Sequence, residues 1–174
     1  MNGPSEFEKA CRNMKKVVVT GGAGFIGSHL AEELAEQGYH VSIIDDLSTG
    51  KMANIEPLLD SGNVEFFQGS VTDLPLLKRL FQGVHYVFHQ AAIPSVPRSI
   101  DNPQATHNAN VTGTLNALLA ARDSGVSKVI YASSSSVYGD TPTLLKVEDM
   151  TPNPQSPYAV TKITGEYYCQ VLHC

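Results

Sequence analysis

Short apolar runs alternate with amphipathic stretches along most of this chain. After a polar leader at residues 1–15, KKVVVT at 15–20 is a β-branched run without polar alternation, the pattern of a strand buried on both faces. HLAEELAEQG at 29–38 spaces its apolar residues at helical intervals and closes on Gly38, which predicts a helix with a glycine stop. HVSIID at 40–45 predicts a second strand, followed by a helix near 51–60, strand VEFF at 64–67, helix LPLLKRLF at 74–81 and strand HYVFH at 85–89. A long helix is predicted over 103–124, with Pro103 near its first turn and Gly125 just past its end. KVIYAS at 128–133 predicts a fifth strand, and a last helix starts near Ser156. Strand and helix alternating so regularly imply right-handed βαβ units, hence an α/β fold with a doubly wound parallel sheet covered on both faces. One long irregular stretch, about 138–155 with Pro142, Pro152 and Pro154, follows the carboxyl end of a strand, where long loops carry function.

Composition narrows the class. A chain of 174 residues with 42% hydrophobic and 17% charged residues predicts one globular domain, and no internal repeat, low-complexity tract or linker divides it. No apolar run approaches the ~20 residues of a spanning helix, so no membrane partner is expected. The opening MNGPSEFEKACRNMKK lacks an apolar core and a small-residue cleavage site, which predicts a cytoplasmic address. Cys11, Cys169 and Cys174 show no paired spacing and are expected as reduced thiols rather than disulfides or metal ligands. A net charge of −5 argues against nucleic acid, whose phosphates demand clustered Lys and Arg.

TGGAGFIGSH at 20–29 sets Gly21, Gly24 and Gly27 three apart between the first strand and the first helix. The first permits a tight turn, the second lets the backbone approach a pyrophosphate, and the third lets helix pack on strand. The helix N-terminus then faces the anion. Asp45 ends the second strand, where a carboxylate accepts hydrogen bonds from an adenosine ribose. Asp45 and Asp46 would repel a 2′-phosphate and no arginine sits beside them, so NAD is expected rather than NADP. Ala91 and Ala92, after the fourth strand, leave room for a cofactor lying across the sheet.

SPYAVTK at 156–162 places Tyr158 and Lys162 four apart, one above the other on a helix. A free phenol is ionised in about one molecule per thousand at pH 7, and bringing it to neutrality requires roughly 4 kcal/mol of preference for phenolate. An ammonium ~5 Å away supplies about 3 kcal/mol at an effective dielectric of ~20, and a nicotinium ring adds to it. The pair therefore makes a base fit to take a carbinol proton beside NAD, and Lys162 is also suited to the nicotinamide ribose hydroxyls. ASSSSVYG at 132–139 lies at the carboxyl end of the fifth strand and offers a hydroxyl to the reacting oxygen. Serine hydrolysis lacks its GxSxG elbow, and His85 and His89 are expected as plain strand residues.

GGAGFIG, HQAA at 89–92, NVTGT at 110–114, SSSSVYG and SPYAVTK together resemble the extended short-chain dehydrogenase/reductases, especially the NAD-dependent nucleotide-sugar 4-epimerases, from about residue 16 onward. The resemblance implies a Rossmann-like domain, tightly held NAD, and inversion of a UDP-hexose or UDP-N-acetylhexosamine at C4 through a keto-sugar. By motif position it makes Ser134, Tyr158 and Lys162 catalytic. It adds Phe25, Ile26, Gly50, Ser70, Val71, Gln90 and Asn110 to the cofactor set, and Ser95, Ser135 and Ser136 to the substrate set. Ser135 and Ser136 stand where the 4,6-dehydratases of this group carry Asp-Glu, which points to epimerisation. Ser70 replaces an Asp that often bonds adenine, and SVPRSI at 95–100 is similar to enzymes of UDP-N-acetylglucosamine or its uronic acid, so the sugar stays open.

Family members run to roughly twice this length. The expectation is a domain over 16–174 truncated before the substrate domain: a fragment of an epimerase, with a non-catalytic NAD-binding module or another nucleotide-sugar enzyme such as a decarboxylase as alternatives. The resemblance also implies a homodimer through the helices near 103–124 and 156–172.

Overall fold

The computed structural model describes residues 14–142 and 145–172. Residues 1–13 of the polar leader, with Cys11, and Cys174 lie outside the described residues. Five strands, β1 (Lys16–Thr20), β2 (His40–Asp45), β3 (Val64–Gln68), β4 (Tyr86–His89) and β5 (Lys128–Tyr131), form one parallel sheet in the order β3-β2-β1-β4-β5. Chain order runs outward from β1 through β2 and β3, then resumes on the other side with β4 and β5. The crevice above the carboxyl ends of β1 and β4 is therefore the topological switch point, where open α/β sheets take their ligands.

The alternation of side chains along each strand divides the core in two. Val17, Val19, Val41, Ile43 and Val64 pack on one face with Ala31 and Leu34 of helix α1 (Phe25–Glu36). Val18, Ile44 and Val87 pack on the other with Leu77 of helix α3 (Leu74–Leu80) and with Ala117, Ala120 and Ala121 further along the chain. Val17, Val18 and Val19 are all fully buried, which is why KVVVT shows no polar alternation. Each such side chain contributes about 1.5–3 kcal/mol when removed from water.

Several boundaries differ from the sequence expectation. Helix α1 begins at Phe25 rather than near 29, because Phe25 and Ile26 face solvent and break the apolar spacing of its first turn. It ends in a Schellman cap, with Gly38 at φ 83° donating to Ala35 O and Tyr39 to Leu34 O. The helix expected near 51–60 is a 3₁₀ turn, Met52–Asn54, and a single turn, α2 (Glu56–Leu59), since Pro57 lacks the N–H that would join them. An unforeseen helix α4 (Val96–Asp101) is capped by Ser95 Oγ and stops at Asn102. The long helix α5 is present, but its α-helical ends, Pro103–His107 and Gly113–Asp123, flank a π-helical turn, Asn108–Thr112. A Cβ on Gly113 would lie 2.5 Å from Val71 Cγ2, so this helix also packs closely on the loop after β3. Strand β5 stops at Tyr131, short of 133; Ala132 still donates to His89 O, but its own carbonyl is taken by a lysine. Helix α6 (Pro157–Leu172) then packs along α4 and α5.

Candidate functional site

The glycine loop crosses the switch point with no room for side chains. Gly21 has φ 70°, donates to Ile44 O at 2.7 Å, and a Cβ there would fall 2.6 Å from Ala91 N. Gly24 caps α1 without a side chain, leaving the first-turn N–H groups open toward the crevice. A Cβ on Gly27 would run into the Gly21 carbonyl and lie 2.8 Å from Gly22 Cα, so loop and helix touch backbone to backbone. Phe25 and Ile26 project from this turn into solvent.

Beside the loop opens a cleft of about 200 Å³, lined by Gly21, Asp45, Asp46, Ser70, Ala91 and Ala92 among others. Asp45 is nearly buried: Oδ2 accepts from Ala23 N at 3.0 Å and Oδ1 from Leu47 N at 2.8 Å. Leu47 reaches that carboxylate in a left-handed conformation, φ 60°, and Gly50 packs against the same carboxylate. Two clamped oxygens keep spare lone pairs, so the carboxylate is held still and remains an acceptor. Val71 sits at the cleft wall, and Gln90 N donates to Thr20 O just before the alanine pair.

At the carboxyl end of β5, three hydrogen bonds pin the strand and the start of the serine run to one face of α6. Tyr131 Oη donates to Lys162 O at 3.3 Å, Lys162 Nζ donates to Ala132 O at 2.9 Å, and Ser133 Oγ donates to the Glu166 carboxylate. Ser134 follows directly. Its hydroxyl lies 2.8 Å from that of Ser136 and accepts from Ser136 N, capping a 3₁₀ turn at Ser135–Tyr138. Lys162 is 4% exposed, and its ammonium stands 5.1 Å from the Tyr131 ring centre and 5.9 Å from that of Tyr158. Burial lowers its pKa to about 8. Most of the population is still charged at pH 7. A nearly buried ammonium with one carbonyl partner among the described residues keeps N–H donors to spare.

A buried hydrogen-bond relay joins the two ends of the site. Thr114 Oγ1 donates to Asn110 O, so its oxygen accepts from His89 Nε2 at 2.9 Å. Neutral His89 then accepts at Nδ1 from Thr20 Oγ1 at 2.7 Å, and Thr20 Oγ1 receives Ala91 N at 3.4 Å. Burial, aided by the Lys162 charge, lowers the His89 pKa to about 3 and keeps the ring neutral. From the π-helical turn, Asn110 Oδ1 accepts from Ile93 N at 2.8 Å while Nδ2 donates to Thr161 Oγ1 at 3.0 Å, and Thr161 donates to Tyr158 O. The extra residue of that turn aims Asn110 between the loop after β4 and helix α6.

The sequence-predicted residues thus fall into two groups. Gly21, Asp45, Asp46, Ser70, Val71, Ala91 and Ala92 share the cleft, while Tyr158 and Lys162 share a face of α6 beside the Ser134 turn. Ser95 lines neither the cleft nor the cavity beside it; its hydroxyl accepts from Arg98 N. His89, expected as a plain strand residue, is the hub of the relay. Glu166 escaped the sequence reading, although it lies one helical turn beyond Lys162 on the same face.

Residues 17–173 match the NAD dependent epimerase/dehydratase family. The UDP-glucose 4-epimerase of Mycolicibacterium smegmatis is 43% identical over 155 residues, covering 88% of this chain and 50% of that protein. A UDP-N-acetylglucosamine 4-epimerase from Methanobrevibacter ruminantium superposes with a TM-score of 0.86 at 38% identity, over 92% of this chain and 51% of that one. DesIV, a dTDP-glucose 4,6-dehydratase from Streptomyces venezuelae solved with NAD bound, gives 0.87 at 34% identity, over 91% and 51%. The chain spans about half the length of the curated relatives it matches. Among the described residues no helix is long and apolar enough to cross a membrane.

Proposed function

The chain belongs to the NAD dependent epimerase/dehydratase family, and from that premise we propose that it is the cofactor-binding domain, over residues 16–174, of a nucleotide-sugar 4-epimerase. The observation behind this reading is the nearly buried Lys162 ammonium one helical turn from Tyr158, at the carboxyl end of β5 and tied by the relay to the cleft. The residues present fit NAD. A glycine cradle that a Cβ would fill suits the pyrophosphate, the clamped Asp45 carboxylate suits the adenosine ribose hydroxyls, and the wall at Ser70, Val71, Ala91 and Ala92 suits the adenine. Asn110 holds the loop that carries this wall, and the spare Lys162 donors suit the second ribose.

When bound, NAD supplies a reversible hydride acceptor for C4 of the sugar. Tyr158 takes the C4 hydroxyl proton. The Lys162 ammonium stands 5.9 Å from the centre of the Tyr158 ring, on the same face of α6. Ser134 hydrogen-bonds the reacting oxygen, with Ser135 and Ser136 beside it. A 4,6-dehydratase would place an acid and a base at those two positions; two hydroxyls support epimerisation of a UDP-sugar. Val160, Tyr167 and Val171, exposed at helical intervals on α6, support a homodimer through α5 and α6, which light scattering of the purified chain tests. The chemistry is tested by calorimetric titration with NAD and by UDP-galactose and UDP-N-acetylgalactosamine turnover in the wild type and Tyr158→Phe. NAD binding with turnover abolished in the variant supports the reading; absence of NAD binding overturns it.

A further inference from the structure

Lys162 carries its charge where water hardly reaches, with no ion pair among the described residues. An ammonium buried in this way ordinarily needs an anion beside it. Its hydrogen-bond partner among those residues is a neutral carbonyl, Ala132 O. Beside it stands the ring of Tyr131, the last residue of β5, with the ammonium over the ring 5.1 Å from its centre. That ring is fixed by three contacts. Tyr131 Oη donates to Lys162 O at 3.3 Å, the His89 imidazole stacks on the ring with centres 5.9 Å apart and planes 22° from parallel, and a Cβ on Gly165 would run into the ring and its hydroxyl. Burial keeps His89 neutral, so no second cation competes for the ring. The Glu166 carboxylate accepts from Ser133 Oγ. Burial holds the Tyr131 phenol above its ordinary range, and charge on Cys169, Tyr158 or Glu166 of α6 adds to that, so the ring stays neutral as well. The shift of the Lys162 amine to about 8 comes from burial alone, with no contribution from a charge on α4 or α5.

We infer that Tyr131 is a positioning residue for the Tyr158–Lys162 pair: its ring face takes the place of a counter-ion, holding the ammonium charged and in position. The role rests on the reading of that pair as the reactive centre beside NAD. A carboxylate in the same place would also hold the ammonium, but its negative charge would offset the ammonium's field at Tyr158. A ring face attracts a cation through its quadrupole and carries no net charge, so the field survives. The attraction is strongest where water is excluded, as it is around Lys162. A valine at 131 would serve the strand as well as a tyrosine does; the tethered ring answers a need of the site rather than of the sheet.

An NMR titration of isotope-labelled lysine amines in the whole chain follows Lys162 directly, its signal assigned by its loss in Lys162→Met. Tyr131→Leu removes the ring, and the Lys162 midpoint should fall by about one unit, a tenfold change in the acid constant. Tyr131→Phe keeps the ring and should restore the wild-type midpoint. Because Tyr131→Leu leaves space in the core and could unfold the chain, a second series keeps the shape constant. Phenylalanine and its trifluorinated analogue, each incorporated at position 131, differ chiefly in the electron density of the ring face. The fluorinated ring should lower the Lys162 midpoint by roughly half a unit, about threefold in the acid constant. Equal midpoints for the two rings overturn the inference, since shape alone would then suffice. A midpoint that rises toward 10.5 in Tyr131→Leu also overturns it, since the ring would then only have kept water from the amine. Calorimetry with NAD runs in parallel on the wild type. Absence of NAD binding overturns the parent reading and the catalytic purpose of the ring with it, whereas unequal midpoints with NAD bound support both.

Discussion

Lys162 makes the stability of this domain depend on pH in an unusual direction. Its ammonium is 4% exposed and burial lowers its pKa from 10.5 to about 8. Between those values the unfolded chain holds a proton that the folded chain has released, so folding becomes more favourable as pH rises through the window. At about 1.4 kcal/mol per unit the shift amounts to about 3 kcal/mol, a penalty present in full below pH 8. Lys162→Met keeps the stem and removes the charge, while leaving the Ala132 carbonyl short of a donor at about 1–3 kcal/mol. The two effects nearly cancel at pH 7, where the variant should be as stable as the wild type or slightly more so. By pH 10 most of the penalty has gone from the wild type, which should then lead by up to about 2 kcal/mol. Urea unfolding followed by circular dichroism at pH 7, 8, 9 and 10 measures the difference directly. The series stops at 10 because burial holds the Tyr131 phenol above its ordinary range, and beyond that pH the unfolded tyrosine ionises first and opposes folding. A difference between the two proteins that is flat with pH would show that burial places no penalty on the Lys162 charge, refuting the lowered pKa.

Three further outcomes follow from the same contacts. His89, its pKa lowered to about 3 from 6.5, contributes stability that is present above pH 6.5 and lost as pH falls toward 3. His89→Gln should therefore show a stability slope between pH 4 and 6 that is shallower by about 1.4 kcal/mol per unit; equal slopes in parallel urea titrations would contradict a neutral buried ring. Gly27→Ala should destabilise by about 1–3 kcal/mol, because the new methyl meets backbone that cannot turn aside, and it should weaken NAD in calorimetry. Glu166→Ala should leave global stability within about 1 kcal/mol yet speed hydrogen exchange at residues 133–137, with β1 and β2 unchanged; unaltered exchange there would show that the Ser133 contact does not hold the loop.

The sheet was legible because its strands are buried on both faces. KVVVT and HVSIID are recognisable as runs that only a two-sided core explains, and the order of elements then implies the parallel topology. Element ends were less legible wherever a single side chain decides them. Nothing in AS at 132–133 says that β5 should stop, since the cause is Lys162, a helix away. Helix α4 was signalled, by Ser95 with Pro97 two places on and by Asn102 before Pro103, but at six residues it is too short to show a period. The π-helical turn has no local cue at all. NANVT reads as ordinary helix, and the distortion follows from what Asn110 must reach on both sides.

The site divides along the same line, and for a physical reason. Groups defined by backbone needs or by fixed helical spacing, such as the glycines, Asp45 and the Tyr158–Lys162 pair, are written locally and can be read locally. Groups whose role depends on partners far along the chain cannot. His89 alternates with its neighbours like any strand residue, and only the register that sets it opposite Thr20 on one side and Tyr131 on the other delivers it to Thr114. Because every donor in that relay has one acceptor, the loop carrying Ala91 and the helix carrying Tyr158 are held by one buried network rather than by two independent contacts. A core substitution at Thr20 or Thr114 should thus disturb both the nucleotide cleft and the tyrosine, although neither threonine touches the reacting groups.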